Sequence, residues 1–344
     1  MNRGIKMKKV TTILLAIIFL VSLQTAHAQS KVGTSAAPFL NIEMGPRAIA
    51  MGGAYTGLAN DGSSIFWNPG AMSRTEQNMA YFTYLKWFAE IDIQFASVTY
   101  QLPGLGTVGL GMTYVDYGQM EVTTIENPYG TGEYFSASDL ALGASFARNL
   151  TDRFSIGGTV KYINNSIYNE DAEGIAIDVG TLYITNFNDM RLGISIYNFG
   201  NKMQMRGRDL FTHHDIDESV YGNNEEIIAE LRTEKWNMPL TFRIGAAMPL
   251  IDNSVHKLWV TGDGVYPSDN VKMANFGAEY TIFDLFSLRA GYKNMFQESG
   301  EQGLTFGSGV SFDVPSSISI DFDYAFQSFN HLTNVHHFAT SVVF

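Results

Sequence analysis

The sequence predicts an all-β protein, a transmembrane β-barrel of about fourteen antiparallel strands with an N-terminal plug in its lumen. From residue 79 onward, segments of about ten residues alternate apolar and polar positions, the length and period of a barrel strand. The strand count is even, and the two longest connections, 118–137 and 200–238, fall on the same side by parity. Charged residues make up only 16% of the chain and aromatics 13%, which suits an apolar outer face combined with a polar inner one.

Residues 1–28 read as a Sec signal peptide. Arg3, Lys6, Lys8 and Lys9 form the basic region, Val10 to Val21 the apolar stretch, and Ala26-His27-Ala28 the cleavage site before Gln29. That apolar stretch is too short to anchor in a bilayer. The mature chain is therefore expected in the outer membrane of a Gram-negative bacterium, in contact with its lipid. It has no cysteine, so closure of the sheet must replace the disulfides common in exported domains. A net charge of -12 excludes nucleic acid, whose phosphates need clustered Lys and Arg. Residues 29–78 are small and non-alternating, and are assigned as the plug; 79–344 form the barrel.

Candidate strands lie near 79–87, 90–102, 106–117, 138–150, 153–168, 173–186 and 190–199, then 239–249, 255–266, 270–281, 285–296, 302–313, 317–327 and 334–344. Ser317 to Phe326 shows the pattern most clearly. Ile318, Ile320, Phe322, Tyr324 and Phe326 share one face, and Asp321 and Asp323 the other. That strand alone would also suit a soluble sandwich; the segregation of short turns from long loops favours the barrel. The short turns are Pro103-Gly104-Leu105, Thr151-Asp152, Phe187 to Asp189, Phe283-Asp284 and Val314 to Ser316. Phe338, Val342 and the terminal Phe344 continue the alternation and resemble a C-terminal assembly signal of outer-membrane barrels.

Extending the alternation predicts a polar lumen of mixed charge. Lys161, Arg191, Arg243, Arg289 and Lys293 lie on the inward parity, as do Asp92, Asp178, Glu279, Asp321 and Asp323. An ion on the lipid face costs about 2–4 kcal/mol near the bilayer midplane, so these belong inside. Mixed signs suggest a cross-lumen salt-bridge network more than a single-sign filter, and charges that solvate or stiffen the wall are favoured over a substrate path. Glycines 109, 111, 143, 157, 180, 193, 245, 277, 291, 307 and 309 share that parity. Glycine weakens a strand unless the wall bends or something approaches its backbone, so the row predicts strong curvature or a body filling the lumen.

The N-terminal stretch carries a resemblance. "KVGTSAAPFL" (31–40), then Gly45-Pro46-Arg47-Ala48, Met51-Gly52-Gly53-Ala54, Asp61 and "IFWNPGAMS" (65–73), resembles the PorV/PorQ family within the FadL-like barrel superfamily. Gly70-Ala71 inverts the family's usual small pair, and Met238-Pro239 stands where its Leu-Pro enters a strand. The resemblance implies a fourteen-stranded barrel whose N-terminal segment folds inward. It makes Arg47, Gly52, Gly53, Asp61, Trp67, Asn68 and Pro69 the plug motif. Arg47 is then expected to pair with Asp321 or Asp323, Asn68 to cap its turn, and Pro69 to fix the local backbone. It also implies an accessory or shuttle role in type IX protein secretion, with a translocon or secreted proteins as partners. The alternative is a FadL-like transporter of hydrophobic small molecules.

No cofactor, metal or catalytic constellation is expected. Met51-Gly52-Gly53 lacks nucleotide-loop spacing. His213-His214 with Asp215 and Asp217 lacks metal-site spacing, and His331, His336 and His337 fall where rim residues belong. In the long loop, Asn224 is expected to cap a short helix through Leu231, with Trp236 near the membrane boundary.

Overall fold

The computed structural model describes residues 33–75, 77–215, 217, 219, 227–295, 302–314, 318–329 and 332–344. The signal-peptide stretch 1–28, Asn224 and His331 lie outside them. Fourteen strands follow one another: β1 (Met79–Lys86), β2 (Asp92–Leu102), β3 (Gly106–Glu121), β4 (Tyr134–Asn149), β5 (Phe154–Ile167), β6 (Glu170–Ile184), β7 (Arg191–Gly200), β8 (Thr241–Asp252), β9 (His256–Pro267), β10 (Met273–Ile282), β11 (Phe286–Met295), β12 (Gln302–Val314), β13 (Ile318–Phe329) and β14 (Val335–Val343). Each pairs antiparallel with its neighbours, and β1 pairs with β14, from Met79 opposite Val343 to Leu85 opposite His337. The sheet is thus a closed barrel without an open edge. The Phe344 N–H donates to the Asn78 carbonyl at 2.9 Å and finishes the seam.

Alternation decides which side chains face the lipid. Leu110, Val160, Ile194, Ile244, Leu288 and Phe322 are all exposed on the outer wall, as a bilayer requires. The inner wall adds an apolar region to the polar lumen of mixed charge expected. Toward the long-loop end Leu85, Ile93, Val115, Ile163, Phe329 and Val335 are buried in one apolar cluster with Phe39 and Met44. Those wall residues meet the apolar side of the N-terminal segment rather than water, so they form a packed core. Charged groups occur toward both ends, Glu279, Arg289 and Asp323 nearer the short turns and Glu43, Arg243 and Lys293 nearer the long loops.

The segment 33–75 is built from short pieces: a 3-10 turn at Pro38–Asn41, α1 (Pro46–Ala50), α2 (Ser64–Trp67) and a 3-10 turn at Pro69–Arg74. Proline opens three of them, where its missing N–H leaves no bond unmade. Gly52 and Gly53 carry the chain out of α1 with φ of +69° and +74°, a conformation glycine adopts without strain.

The long loop differs from expectation. Ile227–Glu230 is a strand paired with Phe211–His214, not part of a helix. Two adjacent β-branched residues suit a ladder better than a helical turn. Trp236 is half-exposed in a two-residue pairing with Met203. Asp92 also departs from its assignment. It lies on the outer parity at the tip of β2, where the Tyr84 hydroxyl donates to it at 2.6 Å. At the rim, headgroup water is within reach, so the penalty for an outward ion falls away.

Candidate functional site

The candidate site is the contact between the segment 33–75 and the inner wall. Small wall residues let the segment approach as backbone. A Cβ added at Gly180 would sit 2.1 Å from Asn68 Oδ1, at Gly193 2.2 Å from the Thr56 carbonyl, and at Gly291 2.1 Å from the Gly52 nitrogen. Gly157, Gly277 and Gly307 similarly lie under Pro69, Met51 and Ala50. The other inward glycines serve side chains: Gly109 and Gly111 face Ile65, Gly143 faces Thr159, and Gly245 and Gly309 leave room for Asp263 and Asp323.

Backbone groups of the segment are satisfied by the wall. The Asp263 carboxylate accepts the N–H groups of Tyr55 and Thr56 at 3.1 and 2.9 Å. The Thr305 hydroxyl accepts from Gly52 and donates to the Ala50 carbonyl, both at 3.0 Å. Asn68 is fully buried and makes three side-chain hydrogen bonds. Its amide donates to the carbonyls of Thr56 (2.9 Å) and Thr181 (3.0 Å), and its Oδ1 accepts from the Gly70 N–H at 3.1 Å as the cap of the Pro69 turn. Trp67, also buried, donates from its indole to the Met44 carbonyl at 2.7 Å. Asp61 accepts from Ser63 N–H (2.9 Å) and the Tyr55 hydroxyl (2.7 Å), so it orders the turn entering α2.

Two ionic clusters flank this packing. Nearer the short turns, Arg47 grips both oxygens of Glu279 at 2.6 and 2.7 Å, and its third nitrogen reaches Asn60 at 2.9 Å and Asp61 at 3.7 Å. Glu279 lies opposite Arg289 in the β10–β11 register and also receives its Nε at 2.6 Å, while Arg289 extends to Asp323. The expected pairing of Arg47 with Asp321 or Asp323 is therefore corrected. Arg289 occupies Asp323, and the hydroxyls of Ser311 and Ser341 occupy Asp321, which leaves Glu279 for Arg47. Nearer the long loops, Glu43 receives Arg243 at 2.8 Å and Lys293 at 2.6 Å, and the Arg243 guanidinium covers the Trp67 ring at 4.7 Å. Lys161 pairs with Asp178 at 2.9 Å, and Asp178 accepts the Asn198 N–H at 2.8 Å. Arg191 faces inward with its guanidinium over the Trp259 ring, 4.7 Å from the centroid, and no carboxylate of the described residues is in ion-pair range.

Glu43, Asn60, Asp263 and Thr305 escaped the sequence reading. Asp263 had a usable signal, since it shares the inward parity of Thr261 and Val265. Glu43 stood in a non-alternating stretch that offered none. Phe338, Val342 and Phe344 sit on the outer parity at the seam, with Phe338 and Phe344 half-exposed. His337, expected at the rim, is buried with its Nε2 3.2 Å from Gln327 Oε1. His213 and His214 are adjacent in a strand and so point to opposite faces.

The segment leaves open space on either side. Near the short turns a polar chamber of about 410 Å³ is lined by Arg47, Arg191, Trp259 and Asp321 among others. On the opposite side a mostly apolar cavity of about 70 Å³ lies against Leu40, Ile65, Phe66, Trp67 and Phe95.

A family model described as "Type IX secretion system protein PorV" matches residues 25–263. The chain belongs to the PorV family. Solved structures add agreement in fold. The chain is similar to the CymD monoaromatic hydrocarbon channel at 14% identity and a TM-score of 0.57, over 88% of this chain and 97% of that one. It is similar to the Pseudomonas putida toluene transporter TodX at 15% identity and 0.54, over 87% and 96%. A Pseudomonas aeruginosa FadL homologue follows at 13% identity and 0.50, over 87% and 96%. A comparison with curated proteins finds no match. Closed barrel and family together make this PorV-family chain an outer-membrane protein.

Proposed function

We propose that this protein is an accessory or shuttle component of type IX secretion, which holds a translocon or a secreted protein at its long-loop end. In this reading residues 29–78 act as a plug, Phe338, Val342 and Phe344 as the assembly signal, and 1–28 as a signal peptide cleaved after Ala28. The observation that carries it is the double ionic attachment of the segment, through Arg47 to Glu279 and through Glu43 to Arg243 and Lys293. Charged pairs so deeply placed resist the loss of one partner, so the segment acts as a fixed seal and the working surface moves to the loops. Isolation of the protein in mild detergent should bring a translocon or a secreted protein with it. Recovery of the barrel alone, from cells actively secreting, would refute the reading.

A second reading, passage of hydrophobic small molecules, draws on the likeness in fold to hydrocarbon channels and on the apolar cavity beside Trp67. That cavity measures about 70 Å³, whereas an apolar cavity of about 150 Å³ is known to admit benzene. Transport would thus require the segment to move. Uptake of a monoaromatic that is unchanged on deleting the barrel would dismiss this second reading.

A further inference from the structure

Arg191 opens β7 directly after a short turn and faces inward. Five other basic side chains of the lumen, Arg47, Lys161, Arg243, Arg289 and Lys293, have a carboxylate within the 4.0 Å of an ion pair. Arg191 has none among the described residues, and its side chain makes no hydrogen bond to them. Its guanidinium lies over the Trp259 ring, 4.7 Å from the centroid. A cation held over a ring face is attracted by the ring without using its N–H groups, which stay available to an acceptor.

Arg191 and Trp259 both line the chamber of about 410 Å³ near the short turns. That volume is within the range of small-ligand sites. The chamber's carboxylates are largely engaged elsewhere. Of its six, Glu279 and Asp323 are held by arginines, Asp61 by Tyr55, Ser63 and Arg47, Asp321 by two serine hydroxyls, and Asp284 by Lys257 at 2.6 Å. Asp252 has no ion pair among the described residues, and it too lies beyond 4.0 Å from Arg191. A half-buried guanidinium with no counter-charge is unfavourable, and its best complement is a carboxylate bound through two parallel N–H···O bonds.

We propose that this chamber binds a carboxylate-bearing ligand in the fork of Arg191, with the Trp259 ring supporting the guanidinium. A free small acid and the C-terminal end of a peptide present the same two oxygens, so either source meets the requirement. The inference does not depend on the secretion reading.

The full barrel, purified in detergent, can be titrated with succinate, with triglycine and with triglycine amide while following tryptophan fluorescence, Trp259→Phe serving as the blank. At least one of the two acids should give a saturable change that triglycine amide does not. Binding of both acids identifies a small-acid site, and binding of triglycine alone a chain-end site. Arg191→Gln should weaken binding by at least about tenfold, the loss expected for charge-assisted hydrogen bonds, and Arg191→Lys should retain part of it. No saturable response to either acid, equal binding of the amide, or unchanged affinity in a folded Arg191→Gln barrel would each overturn the proposal. Should Arg191→Gln not fold, the acid-against-amide comparison on the unmodified protein still decides it.

Discussion

Replacing Gly180 and Gly291 with alanine should dislodge the N-terminal segment while leaving the barrel intact. An added Cβ meets Asn68 Oδ1 at 2.1 Å in one case and the Gly52 nitrogen at 2.1 Å in the other. Ordinary contact begins at 3.4 Å, so the segment must retreat by roughly 1.3 Å at each point (3.4 minus 2.1). Neither neighbour is a free side-chain end, because Asn68 is held by three hydrogen bonds and Gly52 by Thr305. Overpacking of this kind costs about 1–3 kcal/mol per site, and two sites pressing different parts of the segment should nearly add, giving on the order of 2–6 kcal/mol. The chain has no cysteine, so Ser64→Cys provides a single reporter at a fully buried position. Maleimide should label that cysteine much faster in the double variant, and planar-bilayer conductance should rise with it. Gly264→Ala is the control, since its Cβ meets nothing closer than 3.5 Å. Labelling and conductance unchanged in the double variant, or raised equally by the control, would refute the reasoning.

Glu43→Gln leaves Arg243 and Lys293 facing each other without their shared counter-charge, and should loosen the segment by about 3–5 kcal/mol, read by the same labelling. Burial raises the Glu43 carboxyl, but Lys293 and Arg243 outweigh it and hold its pKa below the ordinary 4.5. Its contribution is therefore complete above that value and is lost as pH falls below it; labelling of Ser64→Cys, divided by that of free cysteine at the same pH to remove the thiolate dependence, should rise in acid, and the acid-dependent part should vanish in Glu43→Gln. Asn68→Asp keeps the acceptor to Gly70 but loses two donors and faces two carbonyls with a negative charge, so a loss of about 2–6 kcal/mol is expected, visible as protease sensitivity of the segment. Phe344→Ala removes an outward aromatic at the seam and should lower the fraction of heat-modifiable, folded barrel without changing the melting of the molecules that do fold.

The barrel was legible because alternation is a local property. Each strand carries its own record of which side faces lipid, and a closed sheet requires only that neighbouring records agree. The inward parity of Gly180, Gly193 and Gly291 could be read the same way, although it did not name what would lie on them. Local patterns failed where a residue's partner comes from far along the chain. Arg47 was matched with the wrong carboxylate because parity places Glu279, Asp321 and Asp323 alike on the inner wall. Their separation depends on which neighbours already occupy them. The helix expected through Ile227 failed similarly, since its pairing partner lies at Phe211–His214 across the loop.

Sequence alone thus determined the closed sheet, its two ends, and a compact N-terminal stretch of small residues, since period and turn length follow from backbone sterics. Tertiary structure decided which charge meets which. Arg47 and Glu279 are separated by 232 residues and Glu43 and Lys293 by 250, so only closure of the barrel around the segment brings them within bonding distance. It also placed Arg191 over the Trp259 ring, with no carboxylate of the described residues in ion-pair range.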